Sequence, residues 1–205
     1  MKKIAFLSQK GGSGKTTLAV HTAVAAHENG EHVLIIDTDP QKSATIWSDH
    51  RDYEYPIVAT APASDVKKVL NAAKEEDISL VIIDTAPHAA PDATRIAKEV
   101  DLVVIPCRPT AFDIAAASSA VNIVKAANTK FVFVLSACPF RSPEIEETRE
   151  LLTKDYQALV APTAIIDRRA FARAIASGKA VTEFESDGKA ALEIKSLWNW
   201  LKTQI

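Results

Sequence analysis

Cysteine is scarce in this chain of 205 residues, since only Cys107 and Cys138 are present. The two lie far apart, each at or just after an apolar run that resembles a strand, so we expect buried, reduced thiols. This scarcity argues against a disulfide framework and against a cysteine-ligated metal centre. An excess of positive charge is also missing. The formal net charge of -2 excludes a globally basic nucleic-acid binder and leaves room only for a local basic patch.

Long apolar runs are missing as well. No segment approaches the length that spans a membrane, and Gln9 and Lys10 interrupt the first apolar stretch too early for a signal peptide. We therefore expect a cytoplasmic protein. The sequence contains no low-complexity linker, charge block or internal repeat, and 47% of its residues are hydrophobic. These properties predict a single domain spanning residues 1–205.

Short apolar, β-branched runs alternate with helix-like segments along the chain. This alternation predicts an α/β fold, with a doubly wound, mostly parallel sheet and helices on both faces. In such a fold, ligands bind at the carboxyl ends of the strands. The predicted strands are residues 3–8, 32–37, 57–60, 80–84, 102–107, 131–137 and 163–166. The predicted helices are residues 15–29, 43–50, 64–76, 91–99, 115–127, 144–154, 169–177 and 188–203.

The string KGGSGKTT, residues 10–17, follows the first predicted strand and is typical of a phosphate-binding loop. Its glycines let backbone N–H groups curl around an anion, and the next helix turns its positive end toward the ligand. Lys15 supplies charge for the outer phosphates, and Thr16 supplies a hydroxyl for Mg²⁺. The alternative, a chance glycine-rich turn, does not explain why strand, glycines, lysines and hydroxyl are in register. The predicted nucleotide-binding residues of this loop are Lys10, Gly11, Gly12, Ser13, Gly14, Lys15, Thr16 and Thr17.

Carboxylates end two of the predicted strands. Asp37 ends the second strand and Asp39 comes two residues later, and Asp84 ends the fourth strand. A single aspartate in such a position usually caps the next helix. Three of them beside a phosphate-binding loop favour Mg²⁺ and water as their partners, because phosphoryl transfer requires charge neutralisation and a positioned nucleophile.

The loop departs from the usual pattern, because Gln9 stands where a glycine would begin it and Lys10 adds a second lysine. In this respect KGGSGKTT resembles the deviant Walker A loop of the ParA/MinD family of ATPases. The resemblance implies ATP and Mg²⁺ as cofactors, and it implies that Lys10 reaches the nucleotide of the other subunit in an ATP-bound homodimer. The strings DTDPQ and IIDTAP resemble the first switch motif and the Walker B and second switch motifs of that family.

The same resemblance implies a role for each acidic residue. Asp39 would orient the attacking water, Asp84 would hold Mg²⁺ through a coordinated water, and Asp37 would support the metal shell. The implied catalytic residues are Lys10, Lys15 and Asp39, and the implied metal residues are Thr16, Asp37 and Asp84.

The rest of the chain is most similar to the small, ParF-like branch of partition ATPases. Residues 106–113 resemble that branch's proline-containing loop, and residues 163–169 resemble its C-terminal third. By this resemblance, backbone near Ile166 and Asp167 would read adenine. Many family members carry Asn at the end of the sixth strand, where this chain has Ser136.

Basic residues gather near the end of the sequence, and the resemblance implies that some of them form a nonspecific DNA surface across the ATP-bound dimer. The alternative is an ordinary solvated helix face. In addition to Arg168, the candidate DNA-contacting residues are Arg169, Arg173, Lys179, Lys189, Lys195 and Lys202. The last predicted helix is amphipathic and would either dock on the sheet or, as in MinD-like relatives, bind a membrane; the sparse flanking charges favour docking.

Together these features predict a partition or positioning ATPase of the cytoplasm, associated with the nucleoid. By resemblance, a ParB/ParG-like or cargo-adaptor protein would stimulate its slow ATP hydrolysis. The alternatives are a MinD-like, membrane-associated regulator of the division site and a metal-cluster carrier or reductase built on the same loop. The latter would require a closely spaced cysteine pair, which Cys107 and Cys138 do not provide.

Overall fold

The computed structural model describes residues 1–87 and 90–205. The strands are β1 (Lys2–Phe6), β2 (Val33–Asp37), β3 (Ile57–Thr60), β4 (Leu80–Asp84), β5 (Leu102–Cys107), β6 (Phe131–Leu135) and β7 (Leu159–Val160). The helices are α1 (Lys15–Glu28), α2 (Ser43–Asp49), α3 (Val66–Ala73), α4 (Ala90–Ala97), α5 (Ala111–Ala126), α6 (Glu144–Tyr156), α7 (Arg169–Ala176), α8 (Val181–Phe184) and α9 (Lys189–Leu201).

The strands form one seven-stranded sheet in the order β3-β2-β4-β1-β5-β6-β7, and all neighbouring strands pair in parallel. Because β1 lies between β4 and β5, the chain winds outward in both directions from the strand that precedes the glycine-rich loop. This topology confirms the predicted fold class. It also places the ends of β1, β2 and β4 at the same edge of the sheet, where the candidate site residues are.

Each face of the sheet carries its own apolar core, because successive side chains of a strand point to opposite sides. Ile4 and Phe6 belong to one core, which includes residues of α1, α2, α7, α8 and α9. Ala5 and Leu7 belong to the other, which includes residues of α3, α4, α5 and α6. The central strands are buried on both faces, which explains why they read in sequence as continuous apolar runs.

The last strand is not where the sequence predicted it. The prediction of a strand at residues 163–166 is wrong, since β7 is Leu159–Val160, paired with Val132 and Phe133 of β6. Pro162 has no N–H to donate to a ladder, and the pairing stops before it. Residues 163–166 contribute only an isolated bridge between Cys138 and Ile166.

One helix boundary and one additional helix also differ from the prediction. Helix α5 begins at Ala111 rather than at residue 115, because the Thr110 hydroxyl accepts a hydrogen bond from the Asp113 N–H and caps the helix. The short helix α8 was not predicted; the Glu183 carboxylate accepts the Ala180 N–H at its start. The earlier start of α5 places Asp113 in the first turn of that helix, close to the glycine-rich loop.

Candidate functional site

The loop between β1 and α1 has the backbone that anion binding requires. Gly12 and Gly14 have φ angles of +70° and +95°, in the left-handed region where a side chain would be strained. Gly14 is the residue before α1, and its carbonyl accepts the Leu18 N–H, the first bond of the helix. The preceding N–H groups of α1 have no intrahelical acceptor, so they are available to an anion held in the loop. The Ser136 hydroxyl steadies the loop by donating to the Ser13 carbonyl oxygen at 2.7 Å.

Lys15 is the buried cation of this loop. Its ammonium donates to the Lys10 carbonyl oxygen at 3.2 Å. Burial lowers the pKa of Lys15, and the negative charges of Asp84 and Asp39 oppose that shift. An anionic ligand would stabilise the charged form of Lys15, because the ligand's negative charge compensates for the hydration that burial removed.

Asp84 and Thr16 form an oxygen-rich corner beside the loop. The Thr16 hydroxyl donates to Oδ2 of Asp84 at 2.6 Å. Oδ1 of Asp84 is buried and has no hydrogen-bond partner within residues 1–87 and 90–205. Burial raises the pKa of Asp84 to about 7, although the Thr16 hydrogen bond acts in the opposite direction. A buried carboxylate oxygen with a free lone pair next to a hydroxyl is a donor set that suits Mg²⁺, so these residues fit the metal that the sequence predicts.

Asp37 organises the loop that follows β2. Its Oδ1 accepts the Asp39 N–H at 3.1 Å, and its Oδ2 accepts the N–H and the hydroxyl of Thr45, each at 2.9 Å. Three protein donors therefore occupy this carboxylate, which ties the loop to the first turn of α2. The predicted role of Asp37 in supporting the metal shell stays a prediction. Its observed hydrogen bonds would give this support indirectly, by fixing the position of the loop.

Asp39 is half-buried, and its Oδ1 accepts the Gln41 N–H at 2.9 Å. Its charge is close enough to act on Lys15. Asp39 thus lies at the carboxyl edge of the sheet, near the loop lysine, where a water-orienting carboxylate would have to be. The role itself stays a prediction.

The sequence did not single out Asp113 as a site residue. Nζ of Lys10 lies 2.5 Å from Oδ2 of Asp113, and the Asp113 side chain is buried. The Thr-x-x-Asp spacing of Thr110 and Asp113 resembles a helix-capping pattern and could have indicated that Asp113 lies in a first helical turn. The ion pair with Lys10, 103 positions away, had no signal in the sequence.

A cavity of about 360 Å³ lies between the glycine-rich loop and the segment before α7. Thr17 lines it from α1, and Ile166 and Asp167 line it from the other side. The Ile166 N–H donates to the Glu193 carboxylate, and the Asp167 N–H donates to the Cys138 carbonyl. Both predicted adenine-reading residues therefore lie beside the loop with their N–H groups engaged inside the protein, and the adenine contact itself stays a prediction.

The late basic residues fall into two groups. Arg168 pairs with Glu193 at 2.6 Å, and the Lys195 ammonium donates to the Ser186 carbonyl, so both charges have partners in the protein. Lys179 is half-buried. The exposed members of the set, on or just after α7 and α9, are Arg169, Arg173, Lys189 and Lys202.

The apolar stripe of α9 lies inside the protein. Ile194, Leu197, Trp198 and Leu201 are buried in the core that covers the first face of the sheet. This packing agrees with docking on the sheet, the first of the two roles that the sequence left open. Across residues 1–87 and 90–205, the structure has no helix with the length and apolar character needed to cross a membrane.

Both cysteines are buried and free, and burial raises the pKa of each thiol to about 12. A thiol with such a raised pKa carries little thiolate at neutral pH, and the predicted burial of both cysteines is confirmed. The part of the chain that the structure describes contains no cluster of three or more His, Cys, Asp or Glu residues arranged to hold a metal ion. A Mg²⁺ ion in the oxygen-rich corner at Asp84 would depend instead on the Thr16 hydroxyl and on oxygens of a bound nucleotide.

Comparison with known proteins gives a consistent result. Residues 4–181 match the CobQ/CobB/MinD/ParA nucleotide-binding domain family. Protein ParA of Rhizobium radiobacter is 26% identical over 181 residues, which cover 83% of this chain and 81% of that protein. The structure of a McdA–ATP complex from Cyanothece superimposes with a TM-score of 0.82 at 16% identity, covering 100% of this chain and 96% of that one. MinD of Pyrococcus horikoshii in complex with Mg-ADP gives a TM-score of 0.81 at 16% identity, with 98% and 95% coverage.

Proposed function

This chain belongs to the CobQ/CobB/MinD/ParA nucleotide-binding domain family, and we propose that it is a ParA-like ATPase that segregates DNA or positions a protein cargo. The proposed cycle has three parts: binding of ATP and Mg²⁺, dimerisation with association to nonspecific DNA, and release when a partner stimulates slow hydrolysis. Residues 1–205 would act as a single ATPase domain.

The observation that carries the ATPase proposal is the arrangement around Asp84. One buried oxygen of Asp84 has no hydrogen-bond partner among residues 1–87 and 90–205. This oxygen and the Thr16 hydroxyl lie beside a loop with free N–H groups and a buried lysine. Lys15 would neutralise the outer phosphates, and Thr16 and Asp84 would hold Mg²⁺. When bound, Mg²⁺ would supply charge neutralisation for the triphosphate. Asp39 would orient the water that attacks the γ-phosphorus, so that the products are ADP and phosphate.

Dimerisation would complete this site. Lys15 occupies the interior of its own loop, whereas the Lys10 side chain is about one-third exposed at the loop mouth. Within its own subunit Lys10 pairs with Asp113, and a partner subunit's phosphates would give this second cation a role at a nucleotide. Two subunits joined in this way would also bring two sets of exposed basic residues onto one assembly, which suits a multivalent contact with DNA phosphates.

The DNA surface would include the exposed Arg169, Arg173, Lys189 and Lys202, with Lys179 and Lys195 at its margin. Such contacts go to phosphates and are independent of base sequence, so they would associate the protein with the nucleoid. A ParB/ParG-like or other cargo-adaptor protein would be the partner that triggers hydrolysis.

Retention of duplex DNA on filters tests this proposal. Wild-type protein with ATP should retain DNA of any sequence, and four phosphate contacts from each subunit of the dimer would weaken binding roughly 10⁴-fold between 50 and 200 mM salt. Replacing Arg169 and Arg173 with Ala should weaken retention at every sequence. The matched control replaces Lys125 and Lys154 with Ala, two exposed lysines on α5 and α6, which pack on the opposite face of the sheet.

Two results would contradict the DNA proposal. One is an absence of ATP-dependent retention at low salt. The other is equal loss of retention in the control and in the α7 double variant, since that would mean that only overall charge matters. ATP-dependent binding to anionic vesicles without DNA retention would instead support the membrane-associated alternative.

A further inference from the structure

Lys10 has a partner within its own subunit. Its ammonium lies 2.5 Å from Oδ2 of Asp113, and the side chains of Lys10 and Asp113 are 36% and 5% exposed. The pair therefore joins a lysine at the surface to a carboxylate in the interior. The carboxylate is the fixed member of this pair, and the lysine is the member with room to move.

Other groups hold the Asp113 carboxylate in place. The Thr110 hydroxyl donates to Oδ2 of Asp113 at 2.6 Å, the same oxygen that receives Lys10. Asp113 also lies in the first turn of α5, where the helix dipole favours negative charge. The acceptor for Lys10 is thus built into the fold and does not depend on Lys10 for its position.

The segment that carries Asp113 contacts the loop a second time. Arg108, which follows β5, donates to the Gly12 carbonyl oxygen. Arg108 and Asp113 therefore contact the glycine-rich loop at two points, one on its backbone and one on its lysine. Between these contacts Phe112 is 82% exposed, so the surface beside the ion pair is open to a second subunit.

We propose that Asp113 is a positioning residue that retains Lys10 in its own subunit until ATP and a second subunit compete for it. The proposal rests on the proposed function, in which Lys10 serves the partner subunit's nucleotide. Because the Asp113 carboxylate is buried in its own subunit, Lys10 must leave it before binding phosphates across a dimer interface. The ion pair thereby sets the ATP concentration at which dimerisation begins, and the triphosphate is the competing anion.

Asp113→Asn tests this proposal, because the amide keeps the size of the side chain and removes its charge. Light scattering of the full chain, titrated with ATP and Mg²⁺, gives the ATP concentration for half-maximal dimerisation. We expect that concentration to fall at least about fivefold, the lower end of typical coupling between two linked equilibria. Glu147→Gln is the matched control, since it removes an exposed carboxylate from the first turn of another helix, α6, and should leave the ATP concentration unchanged.

A second measurement does not depend on dimerisation. Thermal unfolding of the nucleotide-free wild type, Lys10→Ala, Asp113→Asn and the double variant forms a double-mutant cycle. The proposal predicts that the double variant's melting temperature falls by less than the sum of the two single decreases. Additive decreases would mean that the pair is not coupled and would overturn the proposal.

The titration distinguishes the retaining role of Asp113 from the proposed role of Lys10 at the partner subunit's nucleotide. An Asp113→Asn protein that dimerises at the wild-type ATP concentration, or that no longer dimerises, overturns the retaining role of Asp113. A Lys10→Ala protein that dimerises like wild type would instead count against the proposed role of Lys10 in trans, whatever Asp113→Asn does.

Discussion

Asp84→Asn should make the protein more stable at high pH when nucleotide and Mg²⁺ are absent. Burial raises the pKa of Asp84 from 3.8 to about 7, so the folded protein holds this proton more tightly than the unfolded chain does. Each pKa unit corresponds to about 1.4 kcal/mol, so the ionised carboxylate costs the folded state on the order of 4 kcal/mol. The free energy of unfolding should therefore fall as the pH rises from about 4 to 7 and level off above 7.

The asparagine variant lacks this titration but keeps an oxygen that can accept the Thr16 hydroxyl. Between pH 5 and pH 8, its stability relative to wild type should rise by about 2 to 3 kcal/mol. Urea unfolding followed by circular dichroism in the presence of a chelator measures both proteins at both pH values. Adding Mg²⁺ and ATP should reverse the ranking, because the cation neutralises the wild-type carboxylate and has less to bind in the variant.

Asp37→Asn is the control for this experiment. The oxygens of Asp37 already accept three protein hydrogen bonds, so an amide there would oppose the Thr45 or Asp39 N–H and destabilise the fold by about 1 to 3 kcal/mol. A pH-independent difference between wild type and Asp84→Asn would show that burial does not raise the pKa of Asp84 in the folded protein.

Three further predictions follow from single residues. Lys15→Ala should remain folded by circular dichroism and lose detectable binding of fluorescent ATP; near-normal affinity would contradict the phosphate-loop assignment. Asp39→Ala should bind ATP almost normally, accumulate as an ATP-bound dimer, and hydrolyse ATP about 100-fold more slowly, whereas a normal rate would leave Asp39 a structural residue. Burial lowers the pKa of His21 to about 3, so wild type should lose about 2 kcal/mol more stability than His21→Gln between pH 7 and pH 5, as measured by urea unfolding. Equal losses would show that His21 is accessible to solvent protons in the folded state.

Patterns local in sequence predicted the central strands and the position of the glycine-rich loop between β1 and α1. The central strands are buried on both faces, so their apolar runs are unbroken, and the loop residues are consecutive. The position of β7 was missed because a two-residue edge strand has too little pattern of its own. Its location depends on pairing with Val132 and Phe133, which is a tertiary contact.

The contacts that link distant segments could not be predicted from the sequence. Asp113 meets Lys10 only because β5 lies next to β1 in the sheet, which brings the start of α5 to the mouth of the loop. The contact between the Thr16 hydroxyl and the buried Asp84 carboxylate likewise depends on how α1 and β4 meet. In contrast, the acidic character of the strand ends was visible in sequence, since Asp37 and Asp84 terminate apolar runs.

ATP-dependent dimerisation of Lys10→Ala decides whether Lys10 serves the nucleotide of the partner subunit. The variant should bind fluorescent ATP, because Lys15 and the loop N–H groups remain, yet light scattering with ATP and Mg²⁺ should show only monomer. Loss of dimerisation should be accompanied by loss of partner-stimulated hydrolysis and of DNA retention, since all three would depend on one assembly. A Lys10→Ala protein that dimerises and hydrolyses ATP like wild type would contradict the account and leave Lys10 a solvated loop lysine.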